Sequence, residues 1–159
     1  MTSRTAMYLG LALTAAAAVL PLVDMATVDS VTSHVRDAYP DWPDSDVRKD
    51  RTAITVYLTV VWALGIPCWL WAIRSVRGGA RRARTVSVTL FVLGACLALF
   101  DLTYSAAPYD RIIPLSYGLL GLLPCLAGLL AVGLVWKEST DAAPGDGRTG
   151  GFRSPVDTV

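Results

Sequence analysis

Residues 52–103 read TAITVYLTVVWALGIPCWLWAI, then RSVRGGARRAR, then TVSVTLFVLGACLALFDLT. Two apolar runs flank eleven residues that hold five arginines and no acid. The hydrocarbon core of a bilayer is about 30 Å thick, and a helix rising about 1.5 Å per residue crosses it with about 20 apolar residues. Both runs meet that length, so the reading is a helical hairpin in lipid, turned at Arg74, Arg77, Arg81, Arg82 and Arg84. Short, strongly basic connections stay on the cytoplasmic side of a membrane. The hairpin thus predicts an orientation as well as a solvent.

Two more apolar runs, about 5–23 and 112–136, lie outside the hairpin. Spans of about 5–23, 52–73, 85–103 and 112–136 predict an all-α protein, a transmembrane four-helix bundle with both termini cytoplasmic. Composition agrees. Charged residues make up 17% of the 159-residue chain, with mean hydropathy +0.48, against about 25% charged in ordinary soluble domains. A water-facing helix shows one apolar stripe, and these four runs are apolar all round. Twelve of the 14 basic residues are arginine, a bias that hints at a GC-rich bacterial genome. The aromatic residues suit the same placement, with Trp69, Trp71 and Trp136 expected at the inner interface and Tyr57, Tyr104 and Tyr117 nearer the outer one. Arg4 followed by an alanine-rich run also resembles a secretory signal peptide. A small-x-small cleavage site just beyond the run is missing, so the first span is expected to be retained.

The membrane domain is expected over 1–136, with an outer loop over 24–51 and a flexible cytoplasmic tail over 137–159, where Gly, Thr, Pro, Asp and Ser cannot bury enough surface to repay ordering. Within the loop, Val28, Val31, Val35 and Ala38 recur at helical spacing and predict a short interfacial helix. Tyr39-Pro40 ends it, because proline disfavours helix for the residue before it. Asp44 reads as an N-cap, opening a second long helix near Ser45 that runs about 30 residues to Arg74.

Helices in lipid associate through small residues that allow close approach. Gly118, Gly121, Cys125 and Gly128 share one face of the fourth span. Ser87, Gly94, Ala98 and Asp101 share one face of the third, Gly10, Thr14 and Ala18 one face of the first, and Thr55, Thr59 and Ala63 one face of the second. Pro67 and Pro124 each remove a backbone donor inside a span and are expected to bend it.

Asp101 is the one carboxylate in the greasy part of a span, and such groups are functional candidates by default. Its place near the end of the helix also suits an interfacial anchor, satisfied by water or by Arg111. His34 is the only histidine, with Asp37 three residues on. Asp41, Asp44 and Asp46 offer oxygen ligands, but capping and solubility explain them more cheaply, and no metal site is expected. Cys68, Cys96 and Cys125 all fall in spans, are odd in number, and are read as inert packing residues. No phosphate-binding glycine loop or HExxH pair is present. The outer loops lack the cysteine pairs of quinone-linked thiol oxidoreductases and of claudin-like proteins. The first span lacks the central glutamate of small multidrug exporters.

Ala38-Tyr39-Pro40, the helix end Cys68-Trp69-Leu70-Trp71 and Leu123-Pro124-Cys125-Leu126-Ala127-Gly128 resemble small uncharacterised four-span membrane proteins of high-GC, actinobacterial-type bacteria. The resemblance covers 8–136, is carried by structural motifs, and implies no activity. The expected role is that of a non-catalytic accessory or interaction subunit of the plasma membrane, with Tyr39 and Trp42 exposed for contact. Its partners would be the lipid bilayer and a membrane protein or second copy, with no cofactor and no nucleic acid. The alternative is a small transporter or channel-like protein using Asp101 and the bends at Pro67 and Pro124.

Overall fold

The computed structural model describes residues 1–105 and 112–141. Helix α1 covers Ser3–Ala26, α2 Ser30–Ala38, α3 Asp44–Ser75, α4 Ala80–Thr103 and α5 Leu115–Asp141, with one 3₁₀ turn at Val76–Gly78. No strand occurs among the described residues. Helices α1, α3, α4 and α5 are long and apolar enough to cross a membrane. The 32 residues of α3 span about 48 Å, well beyond a hydrocarbon core. The excess lies at its charged start, Asp44 to Arg51.

Burial is inverted relative to a protein in water. Leu64, Leu93, Leu99, Leu126 and Leu129 are all more than half exposed, while Ser3, Thr14, Thr55, Ser87 and Asp101 are buried. An apolar surface of this extent is tolerable only where the surroundings are themselves apolar. With no hydrophobic gain from burying leucine in lipid, small and polar side chains make the contacts between helices. The arrangement fits an integral membrane protein.

Helix α1 packs along both α3 and α5, and α5 packs along α4. Three apolar nests hold the bundle. Ala6, Met7, Ala72, Ala83, Ala131 and Val135 form one at the arginine-rich end. Ala17, Ala18 and Trp62 form the middle one. At the far end Val31, Val35, Val47, Ile54, Leu58, Ile113 and Tyr117 form the third. Ser3 of α1 and Glu138 of α5 meet beside the arginine-rich turn. The Ser3 amide donates to Oε1 at 2.8 Å and its hydroxyl to Oε2 at 2.6 Å. These bonds, the hydroxyl's first, hold the Glu138 carboxyl below the usual range.

Helix α2 folds back over the far end as a lid. Its apolar pair Val31 and Val35 is buried against α3 and Ile113, while Val28 is 77% exposed and takes no part. The greasy face expected to meet an interface is thus used by the bundle itself. The lid starts from Asp29, whose left-handed backbone (φ 55°) is tolerated by a short polar side chain. Its first amide is capped from upstream, since Asp24 accepts from the Ser30 amide at 3.0 Å and the Ser30 hydroxyl at 2.9 Å. The lid ends at Ala38, before Tyr39-Pro40. Arg36 then pairs with Asp44 and donates to the Trp42 carbonyl. That guanidinium, by hydrogen bond and by charge, holds the Asp44 carboxyl below its ordinary value.

Several expectations need correction. Asp44 is the first helical residue of α3 and Pro43 holds the cap position, because the Asp44 carboxylate is taken up by Arg36 instead of a backbone amide. Of the rings expected near the interfaces, Trp69 and Tyr57 hydrogen-bond inside the bundle and Tyr117 is buried, while Trp71, Trp136 and Tyr104 are exposed. Cys68 and Cys96 are exposed and do not pack a core. Gly94 and Ala63 are exposed as well. The segment 106–111, with Pro108 and Arg111, and the tail beyond Asp141 lie outside the described residues.

Candidate functional site

Helix α1 packs closely on α3 and on α5, and α5 on α4, but α3 and α4 meet over much less of their length. Between them, backed by α5 and flanked by α1, lies a cavity of about 270 Å³. Exposed Leu64, Leu93 and Leu97 line its edge, so it opens where lipid would lie. The walls are set by local sequence. Small residues on α4 and α5, among them Gly94, Ala98, Gly121 and Gly128, leave the room, and Trp62, Trp69 and Phe91 project into it.

Trp69 is held with unusual tightness. Its indole lies on Gly10, where a β-carbon would come within 2.3 Å of the ring. The indole Nε1–H donates to Thr14 Oγ1 at 2.9 Å, and that hydroxyl donates to the Gly10 carbonyl at 2.8 Å. Interhelical hydrogen bonds of this kind in lipid contribute about 0.6 to 2 kcal/mol each. The glycine face of α5 behaves similarly. A β-carbon at Gly118 would meet Leu102 at 3.0 Å, and one at Gly128 would meet Phe91 at 3.3 Å. Gly121 looks toward Trp62 at 3.9 Å, and nothing lies within 4 Å of Gly94 on its side-chain side. Cys125 sits across the α4–α5 contact, its Sγ 3.6 Å from the Gly94 carbonyl.

Two polar groups mark the ends of the cavity. Asp101 is 6% exposed and accepts from the Tyr57 hydroxyl at 2.7 Å. This bond ties α3 to α4 at the lid end. Ser87, fourteen residues earlier on α4, is 5% exposed and its hydroxyl has no partner. Serines and threonines in helices commonly donate back to the carbonyl four residues earlier. Thr14, Thr85, Thr103 and Ser139 do so here. Ser87 instead lines the cavity.

The other candidates from the sequence lie elsewhere. Tyr39 and Trp42 stack on each other, ring centroids 3.6 Å apart, and pack half-buried on the lid-end nest. They rivet the turn between α2 and α3. His34 is half-buried on α2, remote in sequence from the cavity lining. Among the described residues no three His, Cys, Asp or Glu side chains come together to hold a metal ion. The arginines cluster about the 3₁₀ turn, where Arg84 lies 5.0 Å over the Trp136 ring.

The sequence pointed to Asp101 but not to Tyr57, Ser87 or the aromatic wall. A signal for Tyr57 exists. It precedes Arg74 by 17 residues, and Asp101 follows Arg84 by 17. A hairpin turned on the arginines therefore puts both at one depth, about 26 Å from the turn.

No protein family, no curated protein and no solved structure matches this chain.

Proposed function

We propose that this is a multi-pass protein of a bacterial plasma membrane, with both termini and the arginine-rich turn on the cytoplasmic side and the α2 lid outside. Within it the chain acts as a non-catalytic binding or interaction subunit whose working part is the cavity between α3 and α4. The observation that carries this is the buried, partnerless Ser87 hydroxyl in a largely apolar cavity open to lipid, at the end away from Asp101. A buried polar group without a partner is costly in a low-dielectric setting, and an occupant with a hydrogen-bonding group removes that cost. The five arginines support the orientation through the bias of short basic loops toward the cytoplasm.

Native mass spectrometry of the protein released from lipid discs tests the binding role. A defined adduct, whether a small amphiphile, a second copy or another membrane protein, is expected. A bare monomer under every mild condition would remove the proposal. A transport role is the second reading, favoured by the Tyr57–Asp101 bond across the gap. It requires Asp101→Asn to abolish a cation- or proton-coupled flux in vesicles.

A further inference from the structure

Resting on the reading of the cavity as a binding site, the geometry points to its occupant: a long, single-chain cationic amphiphile, its ammonium head at Asp101 and its chain running along α4 toward Ser87.

Charge selects the head. Among the described residues, Asp101 is the only Asp, Glu, Lys, Arg or His in the cavity lining. An anion entering it would meet a carboxylate and no cation, whereas an ammonium would meet a charge-assisted acceptor already oriented by Tyr57. The rings of Phe91 and Trp69 lie toward the Ser87 end, where both stand beside Gly128, and wall the chain rather than the head. The lid end, where Asp101 sits, is where a charged head reaches the edge of a bilayer most cheaply.

Shape selects the chain. Fourteen residues separate Ser87 from Asp101, about 21 Å along the helix and close to one face of it. A compact ligand would touch only one of these groups. A slender chain lying along the gap between α3 and α4 reaches both. It enters sideways from lipid past Leu93 and Leu97 without crossing the bundle. The Ser87 hydroxyl then favours a second polar group at the far end of the chain, a hydroxyl or an ether, over a bare methyl.

Competition in lipid discs provides the test. The full chain, with Trp42, Trp71 and Trp136 replaced by Phe, retains Trp62 and Trp69 as reporters in the cavity wall. A spin-labelled alkylammonium quenches them, and unlabelled hexadecylamine, hexadecanol and hexadecanoate compete for the site. The amine should displace the probe at a concentration about tenfold below the alcohol, the ratio one charge-assisted hydrogen bond supplies, and the carboxylate should be weakest. Asp101→Asn should bring amine and alcohol together. An added terminal hydroxyl on the amine should tighten binding in the unaltered cavity and not in Ser87→Ala. Equal competition by amine and carboxylate overturns the cationic assignment, and because it is measured on unaltered Asp101 it does so even where Asp101→Asn fails to fold. Equal competition with all three chains still displacing the probe leaves the cavity a binding site of another specificity. No displacement by any chain brings down both the occupant and the binding role.

Discussion

Gly10 and Trp69 show how much of the bundle rests on one missing β-carbon. With the ring 2.3 Å from where that carbon would stand, Gly10→Ala must push the indole out of its seat. The expected loss is roughly 1–3 kcal/mol, as for other overpacked contacts, together with a red shift of tryptophan emission. Tyr57→Phe is the complementary case. It removes the one donor to Asp101 among the described residues and leaves the carboxylate buried, at an expected cost of about 1–3 kcal/mol in reversible unfolding from mixed micelles. The double variant Tyr57→Phe, Asp101→Leu should recover part of that loss, because nothing polar is then left without a partner. An additive double variant would mean that the two side chains are not coupled. At this scale legibility was uneven. Asp101 stands out of its span in the sequence, and the shared depth of Tyr57 was readable from the arginine turn. Whether Ser87 donates to its own backbone or faces a cavity is a rotamer choice set by neighbours on other helices, which residue spacing does not carry.

At the scale of elements, length and punctuation were sufficient. The second long helix was expected from Ser45 to Arg74 and runs Asp44–Ser75, since apolar length, the Pro43 start and the glycine pair at the turn all mark its ends. Gly79, at φ +98°, shows why that turn needs glycine. The use of α2 was less legible, because the same valine stripe suits a membrane surface or a protein surface. Val35 is fully buried, so Val35→Asp should detach the lid. Hydrogen exchange at 30–38 should then speed up while α1 and α3 keep their protection. Protection unchanged at 30–38 would mean that the valine contacts do not hold the lid. The junction of α1 and α5 carries a pH dependence of fixed sign. The Glu138 carboxyl is lowered from an ordinary 4.5 by Ser3. Its contribution is therefore fully present above about pH 4.5 and lost as the pH falls through the lower folded value. Protection of the Ser3 amide, relative to its intrinsic exchange rate, should fall on acidification and, at neutral pH, in Glu138→Gln. No change in either would show that the two helix ends are held by apolar contacts alone.

For the whole molecule, the number of long helices followed from apolar length, and the meeting of all four at the arginine-rich end from their alternating direction. Which helices are neighbours did not follow. Spans that are apolar all round lack the stripe that betrays a packing face in water, and the small-residue seams answered only in part. Gly118 and Gly128 lie in close contacts, whereas Ala63 is exposed and Gly94 borders the open cavity. Orientation has a direct check. Reporters fused at Gly78 and at Trp42 should land in opposite compartments, with the Gly78 fusion cytoplasmic, and the same compartment for both would break the topology.

The central position of α1 has a consequence for biogenesis. Its inner face is shared between α3 and α5, yet 88 residues separate Ala26 from Leu115. At about 5–20 residues per second, a ribosome needs roughly 4–18 seconds to make that interval. Throughout it the nascent chain holds one half-occupied surface in the bilayer, open to insertion factors and to stray helices alike. Maturation is therefore gated by the emergence of α5, and stop codons placed before α5 should yield products that quality-control proteases remove.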